Sequence, residues 1–75
     1  MKDAFGKDLI TGDIIKQRFD ENDCPKNSEW IILGFGIEPS TNKKVAVIKS
    51  IDKEYILCSY QSELKHFYKK TDLIQ

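Results

Sequence analysis

The sequence predicts an all-β fold, a small antiparallel barrel of about five strands, and three observations carry that prediction. The run Glu29-Trp-Ile-Ile-Leu-Gly-Phe-Gly-Ile37 is the most apolar stretch of the chain. It is far short of the roughly 20 apolar residues a membrane span needs. Its isoleucines, tryptophan and phenylalanine suit a pleated backbone, whereas Gly34 and Gly36 weaken a helix. Second, β-branched and aromatic runs recur at short spacing, separated by turn residues. Third, no long segment repeats its apolar residues at the helical period.

Taken in order, residues 3–8 form a lead-in broken by Gly6, expected to pin Phe5 onto the core. Leu9-Ile-Thr-Gly-Asp-Ile-Ile-Lys16 then places a Gly-Asp turn before a β-branched pair, with Gly12 supplying the positive φ of a tight turn. A strand is expected from about Asp13 to Phe19. Asp20-Glu-Asn-Asp-Cys-Pro-Lys-Asn-Ser28 is polar, holds Pro25 and two asparagines, and reads as an exposed loop with an acidic start. The second strand, Glu29 to Ile37, is apolar on both faces, as expected of a strand bending through a barrel with its two glycines at the bend.

Glu38-Pro-Ser-Thr-Asn-Lys43 is a turn by composition. Lys44–Ile51 is a strand with Val45 and Val47 on one face, and Asp52-Lys-Glu54 closes a short hairpin. The fourth strand, Tyr55–Tyr60, has faces Tyr55, Leu57, Ser59 and Ile56, Cys58, Tyr60; periodicity leaves open which one faces inward. One helical or 3-10 turn follows near residues 62–65, within Gln61–Leu64 and its successor, with Ser62 as its N-cap. Lys65 to Ile74 returns as a last strand. The chain holds no internal repeat or low-complexity segment.

Seventy-five residues form a single domain, 1–75, and a chain of this length buries only about 60% of its unfolded surface, so the core is one small cluster. A large enclosed active site does not fit. The 12 basic and 12 acidic residues cancel, which removes the bulk positive charge of many nucleic-acid binders. Residues 1–38 carry five cations and eight anions, a net of −3, and residues 39–75 carry seven and four, a net of +3. The N-terminal residues lack the apolar core of a secretory signal, so Cys24 and Cys58 are expected as free thiols in a reducing cytoplasm. Eleven lysines, one arginine and ten isoleucines suggest AT-rich coding, as in some bacterial and phage genomes.

The order Gly12-Asp13-Ile14-Ile15, polar acidic loop, Glu29-Trp30, short turn and strand resembles the middle of SH3-like small barrels, over roughly residues 9 to 51. In such domains a Gly-acid pair opens one strand and an acid-Trp pair the next. The Ala-Leu-Tyr-Asp-Tyr type segment and the Pro-Ser-Asn-Tyr type turn of peptide-binding SH3 domains are missing, which counts against proline-rich ligands. The Gly-Asp-Ile-Ile opening also resembles KOW and other nucleic-acid-associated SH3-like modules, whose compact spacing the loop at 20–28 breaks. The resemblance thus implies a barrel and two kinds of partner, protein or nucleic acid.

Two surfaces follow as candidates. Trp30 beside Asp20, Glu21 and Asp23 would wall a groove in which carboxylates attract a basic segment and the indole offers flat apolar area; Tyr55 and Tyr60 would extend it. The structural alternative makes Trp30 simply the largest core residue. Lys65-His-Phe-Tyr-Lys-Lys70 alternates cations and aromatics, so Lys65, Phe67, Lys69 and Lys70 would track phosphates and stack bases, with Lys43, Lys44 and Lys49 enlarging the patch. The alternative there is an edge strand guarded by lysines.

No metal site or cofactor is expected, because Cys24, Cys58 and His66 fall one ligand short of closed zinc coordination and lack its spacing. Ser59, Ser62, His66 and Asp72 contain the atoms of a triad without a nucleophile elbow, and no Gly-rich phosphate loop exists. The expectation is therefore a non-catalytic module binding or modulating another protein, of the kind a phage or mobile element directs at a host factor. Nucleic-acid binding through the basic C-terminal strand is the alternative. A homo-oligomer would use the same exposed aromatics, or an unpaired strand edge that recruits another chain.

Overall fold

The computed structural model describes residues 1–21 and 23–73. It is one five-stranded antiparallel sheet with one short helix: β1 (Ile14–Gln17), β2 (Glu29–Glu38), β3 (Lys43–Ser50), β4 (Ile56–Tyr60), α1 (Gln61–Leu64) and β5 (Phe67–Lys69), followed by a 3-10 turn at Lys70–Leu73. The strand order is β4-β3-β2-β1-β5. The first four strands form a meander, and α1 carries the chain across to set β5 against β1.

The all-β prediction holds, and the turn chemistry explains why. Gly12 takes its positive φ, the Asp13 carboxylate accepts the Ile10 N–H at 2.8 Å, and β1 begins at the next residue. Asn42 and Glu54 occupy the left-handed region in the two later turns. There the Asn42 and Glu54 N–H groups donate to the Glu38 and Ser50 carbonyls.

The core lies on one face of the sheet. Ile15, Trp30, Ile32, Ala46, Ile48 and Phe67 project into it, and Leu9, Cys24 and Leu64 cover it, with Met1 and Leu57 at its margin. One expectation changes here, and the strand faces left open by the sequence are decided. Phe5 is 60% exposed, stacked on Tyr68 at 5.9 Å; the lead-in is instead anchored by Leu9 and Met1. On β3 the main core face is Ala46, Ile48 and Ser50, because in-register pairing with Ile32 and Trp30 turns those positions inward. On β4 the Leu57 and Ser59 face turns inward, leaving Ile56 and Cys58 exposed.

The last strand is three residues long where ten were expected, because Lys70–Leu73 coil into the 3-10 turn; Ile74 lies outside the described residues. In β2 the register slips between Ile32 and Gly34, so a bulge at Leu33 supplies the irregularity. Gly34 adjoins this bulge, and neither it nor Gly36 has a positive φ.

Candidate interaction surfaces

Trp30 is the centre of the core rather than a groove wall. Its side chain is fully buried, edge-on to Phe67 with centroids 6.1 Å apart. The indole N–H donates to Gln17 Oε1 at 2.6 Å. The Gln17 amide in turn donates to the carbonyls of Phe19, Glu21 and Cys24. Gln17, itself buried, therefore links the indole to the acidic loop from beneath. A ring so enclosed offers no area to a ligand, which removes Trp30 from the candidate groove.

The loop carboxylates have internal work. Asp20 accepts the Lys26 N–H at 2.6 Å, and Glu21 lies 3.1 Å from His66 Nδ1. The Asp23 carbonyl accepts the Lys53 ammonium, while Asp23 itself adopts a positive φ. Asp20, Glu21 and Asp23 do share a shallow surface with Cys24 and Pro25. Tyr55, just before β4, and Tyr60, at its end, do not line that surface.

Tyr60 forms a cross-sheet strap. It lies opposite Val45 on β3, and its hydroxyl reaches Glu38 on β2 at 2.6 Å, so the ring crosses above Val45, which is buried. Thr41 also donates to Glu38. These bonds, Thr41 first and Tyr60 second, hold the Glu38 carboxyl below its ordinary value of 4.5. The same contact pushes the Tyr60 phenol above 10.0. Lys43 Nζ sits over the Tyr60 ring, 5.6 Å from its centroid. Elsewhere the Lys2 hydrogen bond and charge lower the Asp8 carboxyl.

The alternating basic strip at 65–70 does not form. Phe67 and Tyr68 are both buried, because β5 is covered on both faces: Phe67 meets Trp30, and Tyr68 meets Phe5 and donates to Asn27. Phe67 therefore has no open face on which a base can stack. Lys69 is 3.4 Å from Asp13 and Lys70 3.3 Å from Glu29, so both cations are matched. Lys65 is carried away by the turn after α1. It lines a different cleft, of about 890 Å³, together with Lys2, Lys43, Lys44 and Tyr60.

Across the open seam between β4 and β5, Ser59, Glu21, Glu63 and His66 line a small pocket of about 220 Å³. Glu21 orients the imidazole, yet among the described residues no hydrogen bond joins Ser59 to His66. The Asp72 side chain is outside the described ones. Cys24 is buried and Cys58 exposed, both as free thiols. Among the described residues no group of His, Cys, Asp and Glu is placed to hold a metal ion, and no helix is long and apolar enough to cross a membrane.

A partly exposed apolar surface that the sequence reasoning did not single out lies on the sheet face opposite the core. Register aligns Ile14, Ile31, Lys49 and Ile56 in one row across four strands. The next row holds the bulged Leu33 with Gly34, then Val47 and Cys58. Leu33 and Ile56 are 45% and 60% exposed, and the core takes its members from the other side of the sheet. The Lys16–Glu29 ion pair bounds the patch at one end, while Lys49, paired with Glu54, stands within the first row between Ile31 and Ile56. Alternation along each strand could not mark it in advance, because a two-residue period is silent about which face is inside.

Comparison of the chain with protein-family models, with curated proteins and with solved structures finds no match in any of the three.

Proposed function

We propose that this chain is a non-catalytic interaction module, an SH3-like small barrel that binds another protein through the outer face of its sheet. The observation that carries the reading is the outer-face cluster of half-exposed Ile14, Ile31 and Val47 with exposed Leu33 and Ile56, crossed by Lys49 and bounded by the Lys16–Glu29 pair. Apolar surface bounded by polar residues is the pattern of protein contact sites. A meander of four strands, a helical turn and a fifth strand returning to the first is the order expected of an SH3-like barrel. With Trp30 enclosed, the contact differs from a proline-rich groove. Free thiols suit a cytoplasmic setting, and a phage or mobile-element modulator of a host factor has this description.

The test is affinity capture from the source cells with mass spectrometry, using the natural chain and Ile31→Glu/Ile56→Glu. Recovery of one specific protein by the natural chain and its loss with the variant is expected. Equal recovery by both, or no specific protein, would overturn the reading.

A second reading rests on a separate observation. Lys2, Lys43, Lys44 and Lys65 meet at one cleft, which moves the nucleic-acid alternative from the C-terminal strand to the start of β3. It requires affinity for single-stranded oligonucleotides that falls steeply with salt and is lost in Lys44→Glu/Lys65→Glu. Binding that ignores salt, or survives the variant, removes it.

A further inference from the structure

β2 is ten residues long, but β1 covers only its first part. The β1 ladder spans Glu29 to Ile31, and Gly12 and Asp13 add two bonds to Ile32, at 2.8 and 2.9 Å. From Leu33 to Ile37 the strand pairs with β3 alone, and its other edge has no backbone partner among the described residues. Exposed edges are normally guarded by lysine, proline, a bulge or an inward charge. Apart from the bulge at Leu33 where it starts, this one has none of them: Leu33, Phe35 and Ile37 are apolar and 45%, 40% and 61% exposed.

The glycines add an independent observation. Neither Gly34 nor Gly36 has a positive φ, and a Cβ on either would meet nothing within 4 Å. Nothing within the chain therefore requires a missing side chain at these two positions. Glycine in a strand also occurs where another backbone approaches closely. Moreover, Leu33-Gly34-Phe35-Gly36-Ile37 reads nearly the same in both directions, and Phe35 is the midpoint of the unpaired edge. That is the pattern a self-complementary antiparallel contact requires.

We propose that two copies of this chain join edge to edge through the free half of β2, antiparallel about a twofold axis at Phe35, continuing the five-stranded sheet into ten strands. Gly34 then faces the second copy's Gly36, so no side chains separate the two outer faces. On the inner side Phe35 meets its own counterpart, with the two Ile37 side chains flanking the pair. The bulge turns Leu33 toward the outer face, so the symmetric ladder proper spans Gly34 to Gly36 and the flanking apolar side chains close its ends. The short ladder makes the dimer concentration-dependent. It shares only Leu33 with the outer-face contact proposed above and centres on Phe35, so either can fail alone.

Sedimentation of the purified chain over a concentration series tests it, with Phe35→Lys, Ile56→Lys and, in a Cys58→Ser background, Phe35→Cys. Mass should rise towards twice the 8.7 kDa of one chain. Phe35→Lys should remain monomeric with unchanged circular dichroism, since Phe35 lies outside the core cluster, whereas Ile56→Lys should still dimerise. Phe35→Cys should form a disulfide-linked dimer under mild oxidation. A monomer at every concentration overturns the proposal. So does a dimer lost in Ile56→Lys and kept in Phe35→Lys, or a Phe35→Cys dimer whose introduced thiols do not cross-link.

Discussion

At the scale of single residues, Gln17 and Trp30 show how a buried polar atom organises a small core. A buried indole N–H left without an acceptor costs about 1–3 kcal/mol, and Gln17 both meets that need and shares its two amide N–H donors among three loop carbonyls. Gln17→Leu keeps the volume while removing every one of these bonds. Chemical denaturation should show it less stable by about 2–3 kcal/mol, near the upper end of that penalty. The Asp20–Pro25 loop should become susceptible to protease at the same time. Trp30→Ala should lose more, about 3–5 kcal/mol, as large aromatic truncations do. The sequence marked Trp30 as either core or groove. Its choice of core depends on Phe67, distant in the chain but packed edge-on to the indole, and on the amide of Gln17, which composition ranks as an ordinary surface residue.

At the scale of elements, strands β2 and β3 were legible to within a residue because apolar runs and turn residues bound them on both sides. The helical turn was also legible, but its cap was misplaced by two positions. Ser62 lies inside α1, and the cap position is Tyr60, whose N–H donates to Glu63 Oε1 at 2.9 Å. Glu63→Ala should therefore destabilise by about 1 kcal/mol in chemical denaturation, whereas Ser62→Ala should change little.

The Tyr60–Glu38 strap adds a pH dependence. Glu38 titrates lower when folded, so its contribution is complete above pH 4.5 and is lost as pH falls through the lowered pKa. Tyr60 titrates higher when folded, so its contribution is present below pH 10.0 and is lost as pH rises through the raised pKa. In Glu38→Gln the phenol should ionise at lower pH, closer to 10.0, as followed by ultraviolet absorbance.

At the scale of the whole molecule, the N-terminal residues close the structure. The buried Asp3 carboxylate accepts N–H groups from Phe5, Lys7 and Lys69, and Ala4 N–H donates to the Phe67 carbonyl, so the lead-in is fastened along β5. Asp3→Ala should speed amide exchange at Phe5, Lys7 and Lys69 while leaving Ile31 and Ile48 slow. Faster exchange throughout the sheet would instead show that the fastening supports the entire fold. By itself, the sequence determined the all-β class, the succession of strands along the chain, the Gly12 turn and the small size of the core. These follow from local propensity and from the chain's limited length. Only the tertiary structure decided which face of each strand is inside, that Trp30 and Phe67 are spent on the core, that Lys65 parts from Lys69 and Lys70, and that half of β2 has an edge without a backbone partner among the described residues. Alternation of side chains along a strand is symmetric between its two faces, and pairing between residues distant in sequence is what breaks that symmetry.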